Sequence, residues 1–272
     1  MPSHDLESVA LTLVAEGKGI LAADETVPTL TKRFDTLGIR STEQSRRTYR
    51  EMLFTSPGAA EFISGVIMYD ETIRQKSSGG APLAEALTAQ GILPGIKVDT
   101  GAKPLAGSPD ETVTEGLDGL RDRLSEYRTM GARFAKWRAV IRITDAPPSS
   151  ACVSANAHAL ARYAALCQER ELVPIVEPEV LMDGSHTIER CDEITGSVLH
   201  AVFNASLSRV SRSRGCCSSR TWSSRAKRAL VSLPSRRSQG PHCVACVGTC
   251  LPRFLASYSC PAAKTHALRL HI

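Results

Sequence analysis

Five short apolar runs recur along the first two thirds of the chain, each rich in β-branched or other hydrophobic residues. They are GILAADE (19–25), FISGVIMYD (62–70), LPGIKVD (93–99), FAKWRAVIRI (134–143) and LVPIVEPEVL (172–181). Continuous apolar character over so few residues is typical of strands that are buried on both faces. The pattern therefore predicts five strands of one buried sheet.

Amphipathic patterns with helical spacing separate these runs. One starts at a capping-box pair, Ser41 and Gln44, and another spans 110–131, where its apolar stripe ends at Gly131. Two further helices are predicted at 149–170 and 187–205. Strand followed by helix, five times over, indicates a parallel sheet with helices outside, either an open doubly wound sheet or a barrel.

Charged residues within the apolar runs favour the barrel. Two runs carry like charges two residues apart, which places each pair on one face of its strand. The pairs are Lys136 with Arg138, and Glu177 with Glu179. Two other runs add one cation, Lys97, and one anion, Asp24. Any single one of them could instead lie at a strand end and face water. A barrel, however, gathers inward-facing residues at the carboxyl ends of its strands, and no glycine-rich phosphate fingerprint follows the first strand, which disfavours a dinucleotide fold.

Charge and cysteine divide the chain at about residue 206. All 28 acidic residues lie before Leu207, whereas 12 of the 33 Lys and Arg residues follow it, so the body carries −7 and the tail +12. Three scattered cysteines lie in the body and the other six follow from Cys216 onward. Few cysteines beside a polar amino terminus favour a reducing cytoplasm over secretion. No run is apolar for long enough to span a membrane.

The order of seven short motifs resembles that of class I fructose-bisphosphate aldolases over about residues 5 to 206. The motifs are LAADE, GIKVD, PLAG, GLDGL, FAKWR, ARYA and IVEPE. The resemblance implies a (β/α)8 barrel that cleaves fructose 1,6-bisphosphate to dihydroxyacetone phosphate and glyceraldehyde 3-phosphate through a lysine Schiff base, without a metal or other cofactor. It also implies a glycolytic enzyme that forms a homotetramer.

The resemblance implies four catalytic residues in this chain. Asp24 would bind substrate hydroxyls and help to handle the C4 proton, and Lys136 would stabilise charge as the carbinolamine forms. Glu177 would shuttle protons for dehydration, and Glu179 would orient the Schiff-base lysine. Imine chemistry agrees with this set, because it needs an ammonium near the nucleophilic lysine and a carboxylic acid that protonates the departing hydroxyl.

Substrate oxygens and phosphates would be held by three cations, Lys97, Arg138 and Arg33, according to the same resemblance. The chain departs from the family at Pro28, where a small flexible residue is usual in a phosphate-side loop. We expect this proline to make the loop stiffer.

The larger departure lies where the family has its lysine nucleophile, in a segment such as LLKPNMV. Here the chain reads Gly-Cys-Cys-Ser-Ser-Arg-Thr-Trp-Ser (215–223). Encoded as GGC TGC TGC TCA AGC CGA ACA TGG TCC, these residues read Leu-Leu-Leu-Lys-Pro-Asn-Met-Val from the last base of the first codon. In the same frame, residues 250–264 permit PAAVPGIVFLSGGQ, which resembles the family's next strand and phosphate loop. The sequence therefore predicts a partial barrel of about five strands over residues 1–206 and a frameshifted, disordered, Arg/Ser/Cys-rich tail over 207–272.

The tail carries two motifs of its own. His242, Cys243, Cys246 and Cys250 could supply four zinc ligands. The run SRSRGCCSSRTWSSRAKR is similar to a basic nucleic-acid tail, with Trp222 available for stacking. The shifted frame accounts for both without selection, so we expect no metal and no specific nucleic-acid partner.

Three functions stay open on sequence alone. The first is a class I aldolase by descent that is inactive because the Schiff-base lysine segment is lost, with fructose 1,6-bisphosphate and triose phosphates as its ligands. The second is a non-catalytic fragment whose basic tail binds nucleic acid or acidic surfaces. The third is another Schiff-base barrel lyase, since such enzymes share the same lysines and glutamates.

Overall fold

The structure, a computed structural model, describes residues 6–146, 148–212, 230–233 and 243–246, with side chains as far as Leu207. The helices are α1 (Leu6–Leu13), α2 (Val27–Thr36), α3 (Glu43–Phe54), α4 (Ala59–Phe62), α5 (Asp70–Ile73), α6 (Leu83–Thr88), α7 (Leu120–Thr129), α8 (Ser150–Glu169) and α9 (Ile188–Arg212). The strands are β1 (Gly19–Ala23), β2 (Ile63–Met68), β3 (Leu93–Lys97), β4 (Gly101–Pro104), β5 (Thr112–Glu115), β6 (Phe134–Ile141), β7 (Val173–Val180), β8 (Leu230–Leu233) and β9 (Cys243–Cys246).

Each of the five apolar runs forms a strand, as predicted, and the five strands are parallel neighbours in the order β1-β2-β3-β6-β7. The sheet curls, and helices α6, α7, α8 and α9 pack on its outer side, whereas α1 packs against its inner side. Because all connections between these strands run through helices, the strands keep one direction and their carboxyl ends share one rim. The described residues thus form an incomplete (β/α)8 barrel, which confirms the predicted fold class.

The outer face of the sheet carries the main core. On β6 the outward residues alternate with the inward ones, and Trp137 is fully buried against Tyr163 of α8, with ring centroids 5.5 Å apart. The Tyr163 hydroxyl also donates to the carbonyl of Ile175 on β7 at 3.2 Å. These contacts fix α8 across the β6–β7 pair and so fix the relative height of the two strands.

The inner face divides into an apolar floor and a charged rim. The floor is filled by α1, whose Leu13 packs with Ile67, Phe134 and Ile175. Burying a side chain of this size contributes about 1.5–3 kcal/mol to stability. Helix α1 therefore stabilises the sheet by closing the bottom of its inner face. Two residues above Phe134 on the same face, Lys136 begins the charged rim.

Two glycines make room for the Phe134 ring on the floor. A Cβ atom on Gly95 would lie 2.2 Å from Phe134 Cζ, and one on Gly65 would lie 2.6 Å from Leu13 Cδ2 and 3.0 Å from Phe134 Cε1. Any side chain at these two positions of neighbouring strands would displace the ring. The glycines are therefore required by packing, since neither has a positive φ angle.

We expect Gly95→Ala to lower the free energy of unfolding by about 3 kcal/mol, the upper end of the usual cost of overpacking a core. Urea unfolding monitored by fluorescence of the buried Trp137 measures it. Gly19→Ala is the matched control, because a Cβ on Gly19 meets nothing within 4 Å. Adding Phe134→Leu should recover part of the loss. Equal effects of Gly95→Ala and Gly19→Ala would refute the packing argument.

The segment 110–131 differs from its prediction, because only its second half is helical. Thr112 to Glu115 form β5, which pairs antiparallel with β4, and α7 starts at Leu120. β-Branched residues at 112–114 favour the strand. The hairpin is held on α8 by Asn156, whose side chain accepts from Thr114 N at 3.1 Å and donates to Thr112 O at 2.9 Å. Such a tertiary contact is invisible in the local pattern.

The capping box of α3 lies one residue later than predicted. Thr42 is the N-cap, its hydroxyl accepts from Ser45 N at 3.1 Å, and Ser45 Oγ accepts from Thr42 N at 2.9 Å. Ser41 instead accepts a hydrogen bond from Thr31 of α2 at 2.8 Å. Both serine and threonine can cap a helix, so the sequence alone did not distinguish them.

Beyond residue 206 the described residues differ from the predicted disorder in two places. Helix α9 continues to Arg212, and β8 and β9 extend the sheet, β8 parallel to β7 and β9 antiparallel to β8. Only Ile175 and Val176 of β7 pair with β8. The unpaired edge of β7 and the apolar run 229–233 account for this short pairing. The rest of the tail, including the side chains of the candidate zinc ligands, lies outside the described residues.

Within the described ranges, no helix is both long and apolar enough to cross a membrane.

Candidate active site

The charged residues predicted from the strands meet on the inner rim of the sheet. Asp24 follows β1, Lys97 ends β3, and the two remaining pairs lie on β6 and β7. In the sheet register, Arg138 pairs with Glu177 and Val140 with Glu179. Cations of one strand and anions of the next therefore face the same interior, because paired residues of parallel strands point the same way.

Lys136 lies at the centre of the rim between two carboxylates. Its Nζ is 3.2 Å from Asp24 Oδ2 and 3.0 Å from Glu177 Oε2, and Lys136 and Glu177 are only 8% and 3% exposed. Burial by itself lowers the pKa of Lys136, but the charges of Asp24 and Glu177 and their hydrogen bonds outweigh it and raise the pKa above its ordinary value. Lys136 is thus a fixed cation that can stabilise a developing negative charge.

Arg138 and Glu179 form the next pair along the rim. Arg138 Nε donates to Glu179 Oε2, and the guanidinium remains partly exposed while the carboxylate is buried. Burial lowers the pKa of Arg138, but the hydrogen bond to Glu179 and the charges of Glu179, Glu177 and Asp24 raise it overall. The exposed part of the guanidinium is accessible to a bound anion.

Lys97 does not join the central group but pairs with Asp99, a residue that sequence reasoning missed. Lys97 Nζ donates to Asp99 Oδ1, and also to the Asp99 carbonyl at 3.2 Å. The Asp99 side chain is 2% exposed. The signal for Asp99 was present, because it lies in the motif GIKVD, two residues after Lys97 and so on the same face of the chain.

Arg33 lies beside the rim rather than in it. Its guanidinium is 57% exposed and pairs with Glu25, which also binds the buried guanidinium of Arg50 from α3. Glu25 and Arg50 were not predicted, and nothing in the α3 pattern marks Arg50 as buried. Pro28 lies in the first turn of α2, where a missing N–H costs nothing, so it starts a helix and does not stiffen a loop as we expected.

Metal ligands and thiol nucleophiles are the other reactive groups to consider in the described residues. No group of three or more His, Cys, Asp or Glu side chains there is arranged to hold a metal ion. Burial raises the pKa of Cys152 and that of Cys167, so these two thiols stay protonated and are poor nucleophiles. The rim itself offers a fixed ammonium, neighbouring carboxylates and an accessible guanidinium, which suits proton transfer around a bound anionic substrate.

Known proteins share the sequence over about three quarters of this chain. Residues 5–210 match the family model described as fructose-bisphosphate aldolase class-I. A Xanthomonas axonopodis pv. citri protein named "Probable fructose-bisphosphate aldolase class 1" is 60% identical over 205 residues, which are 75% of this chain and 61% of that protein. The cytosolic fructose-bisphosphate aldolase 6 of Arabidopsis thaliana is 54% identical over 203 residues, 75% of this chain and 57% of that protein.

A solved structure gives the same result. Fructose-bisphosphate aldolase from Plasmodium falciparum, in complex with TRAP and a small-molecule inhibitor, aligns with a TM-score of 0.73 at 46% identity, over 75% of this chain and 59% of that one. The chain therefore spans about three fifths of the length of these relatives. From the matched family model, the identities and the shared fold we conclude that this chain belongs to the class I fructose-bisphosphate aldolase family.

Proposed function

We propose that this chain carries the substrate-binding half of a glycolytic Schiff-base aldolase and binds fructose 1,6-bisphosphate and its triose phosphate products without turning them over. The whole enzyme of this kind would cleave fructose 1,6-bisphosphate to dihydroxyacetone phosphate and glyceraldehyde 3-phosphate. The proposal concerns roles and ligands and goes beyond family membership.

One observation carries the proposal, namely the Lys136 ammonium held between Asp24 and Glu177 on a buried rim. Keeping three charges in the interior is costly, and a hydrophobic trio of the same size would often be as stable. A function explains why they are kept. An ammonium flanked by two carboxyl groups can stabilise the charge of a carbinolamine, while one of these groups, in its carboxylic acid form, gives a proton to the departing hydroxyl, which leaves as water.

We assign the remaining residues by the same argument. Asp24 binds substrate hydroxyls and helps to handle the C4 proton, and Glu177 shuttles protons for dehydration. Glu179, now bound to Arg138, orients the nucleophilic lysine when a strand beside β7 supplies one. Lys97, Arg138 and Arg33 bind phosphate and substrate oxygens as cations.

The nucleophile itself is what the chain lacks. Within the described residues, the lysines on the inner face of the sheet are Lys97 and Lys136, and each is bound to a carboxylate. We attribute the loss to a reading-frame change near residues 204–207, and we expect no catalysis by the chain as it stands. The names of the cytosolic relatives support a cytoplasmic location for this protein.

Calorimetric titration with fructose 1,6-bisphosphate tests the binding. We expect the unmodified chain to bind it, and Lys97→Met to weaken binding about 10- to 100-fold, the usual loss when a charged hydrogen-bonding group is removed. Arg121→Gln is the matched control, because Arg121 lies on the outer helix α7 and pairs with Glu169. Absence of any binding by the unmodified chain, or an equal loss in the control, would contradict the proposal.

A further inference from the structure

Two lysines occupy directly paired positions of neighbouring strands. Lys97 of β3 is in register with Lys136 of β6, so both side chains rise from the same face of the sheet. Neighbouring strands are about 4.8 Å apart, and like charges at directly opposite positions are destabilising. The ammonium groups must therefore be drawn in different directions.

Lys136 is drawn toward Asp24 and Glu177, whereas Lys97 has Asp99. The Asp99 carboxylate is itself immobilised by backbone donors on both sides. Its Oδ1 accepts from Gly101 N at 3.1 Å, and its Oδ2 accepts from Arg138 N of β6 at 3.2 Å. A carboxylate held by two backbone N–H groups keeps its place whether or not Lys97 is bound to it.

We propose that Asp99 is a positioning residue that holds the Lys97 ammonium apart from Lys136 and so gives the rim two separate cationic points. Its carboxylate joins the start of β4 to β6 through the backbone donors Gly101 N and Arg138 N, and holds the lysine through its remaining lone pairs. Asp99 acts through Lys97 and does not touch substrate. That Lys97 in turn binds a substrate phosphate or oxygen rests on the proposed function, but the positioning of Lys97 does not.

Pulsed acetylation of the full chain, read out by mass spectrometry of each lysine, tests the positioning without any substrate. In Asp99→Asn, which keeps an oxygen acceptor for one of the two backbone donors, we expect Lys97 to be acetylated about fivefold faster, since a released ion pair of this kind is worth about 1 kcal/mol. Lys136 should stay protected, and the exposed Lys103 should keep its rate. The matched control is Asp118→Asn, a change at an exposed acid that lies between β5 and α7.

An unchanged Lys97 rate in Asp99→Asn would overturn the proposal. So would a rise in the acetylation rates of Lys97 and Lys136 together, because it would mean that Asp99 merely holds the two strands together.

A double-mutant cycle on fructose 1,6-bisphosphate binding supplies the second measurement. If Asp99 acts through Lys97, Asp99→Asn weakens binding in the unmodified chain and has no further effect beside Lys97→Met, whereas independent losses would contradict the idea. Should the unmodified chain bind no ligand, the proposed function fails while the acetylation result still decides the role of Asp99.

Discussion

Borohydride reduction of the 272-residue chain in the presence of dihydroxyacetone phosphate is expected to leave no covalent adduct, and cleavage of fructose 1,6-bisphosphate is expected at background. Schiff-base formation needs an uncharged amine. Lys136 is a poor source of one, because burial lowers its pKa but the charges and hydrogen bonds of Asp24 and Glu177 outweigh burial and raise the pKa above its ordinary value. Lys97 is bound to Asp99. It also lies on β3, whereas the lysine that Glu179 would orient belongs on a strand beside β7.

Restoring the reading frame from near residue 207 should bring back both signals. The restored chain carries LLLKPNMV after α9 and continues into the later strands of the barrel. We expect the adduct on the restored lysine. We also expect cleavage at rates typical of enzymes, at least about 10⁶-fold above the uncatalysed rate, whereas the unmodified chain shows none. The control is the restored chain with methionine in place of that lysine. Mass spectrometry of the reduced peptide locates the adduct.

A covalent adduct on the unmodified 272-residue chain would show that our assignment of the nucleophile is wrong. Lys136 would then be the first residue to replace, because it is the most buried lysine on the rim. Equal activity of the restored chain and its methionine variant would also contradict a Schiff-base mechanism through the restored segment.

Lys136→Met is expected to cost about 3–5 kcal/mol of unfolding free energy at pH 7, the usual loss when one partner of a buried ionic group is removed. Asp24 and Glu177 would be left facing each other without the ammonium that now lies 3.2 Å and 3.0 Å from them. Urea unfolding measures the difference. Lys103→Met, at an exposed lysine of β4, is the matched control and should change stability by less than about 0.5 kcal/mol.

The pH dependence of unfolding, compared between the unmodified chain and Lys136→Met, tests whether the lost stability comes from the ion pairs of Lys136. Because the pKa of Lys136 is raised in the folded state, its contribution is complete below the ordinary lysine pKa of about 10.4 and disappears as pH rises through the folded value. The stability difference between the unmodified chain and Lys136→Met should thus shrink above about pH 10.5. Adding Glu177→Gln to Lys136→Met should recover part of the loss at pH 7. A difference that is small at pH 7, or that does not change with pH, would argue against the ion-pair account.

Local pattern was sufficient for the elements that carry the site. An apolar run identifies a buried strand by itself, and the period of two along a strand places Lys136 with Arg138, and Glu177 with Glu179, on common faces. The repeated order of strand and helix then makes neighbouring strands parallel, so that their carboxyl ends form one rim. These inferences need only the geometry of a few consecutive residues.

Local pattern failed where a distant contact outweighed it. Residues 112–115 lie within the segment predicted as a helix but form a strand, since β4 and the Asn156 side chain satisfy their backbone groups. Arg50 lies in an ordinary amphipathic helix yet is 2% exposed, because Glu25 binds it from across the chain. Neither partner can be found from the spacing around the residue itself.

What the sequence determined by itself is the set of strands, their common direction and the faces on which the charges lie. Only the tertiary structure decided which charges pair: Lys136 takes Asp24, 112 residues earlier in the chain, together with Glu177, while Lys97 takes Asp99. The reason is physical. A face follows from the fixed alternation of side chains along one strand, but a salt bridge depends on the register and curl of several strands, which the packing of α1, α8 and the glycine-lined floor determines.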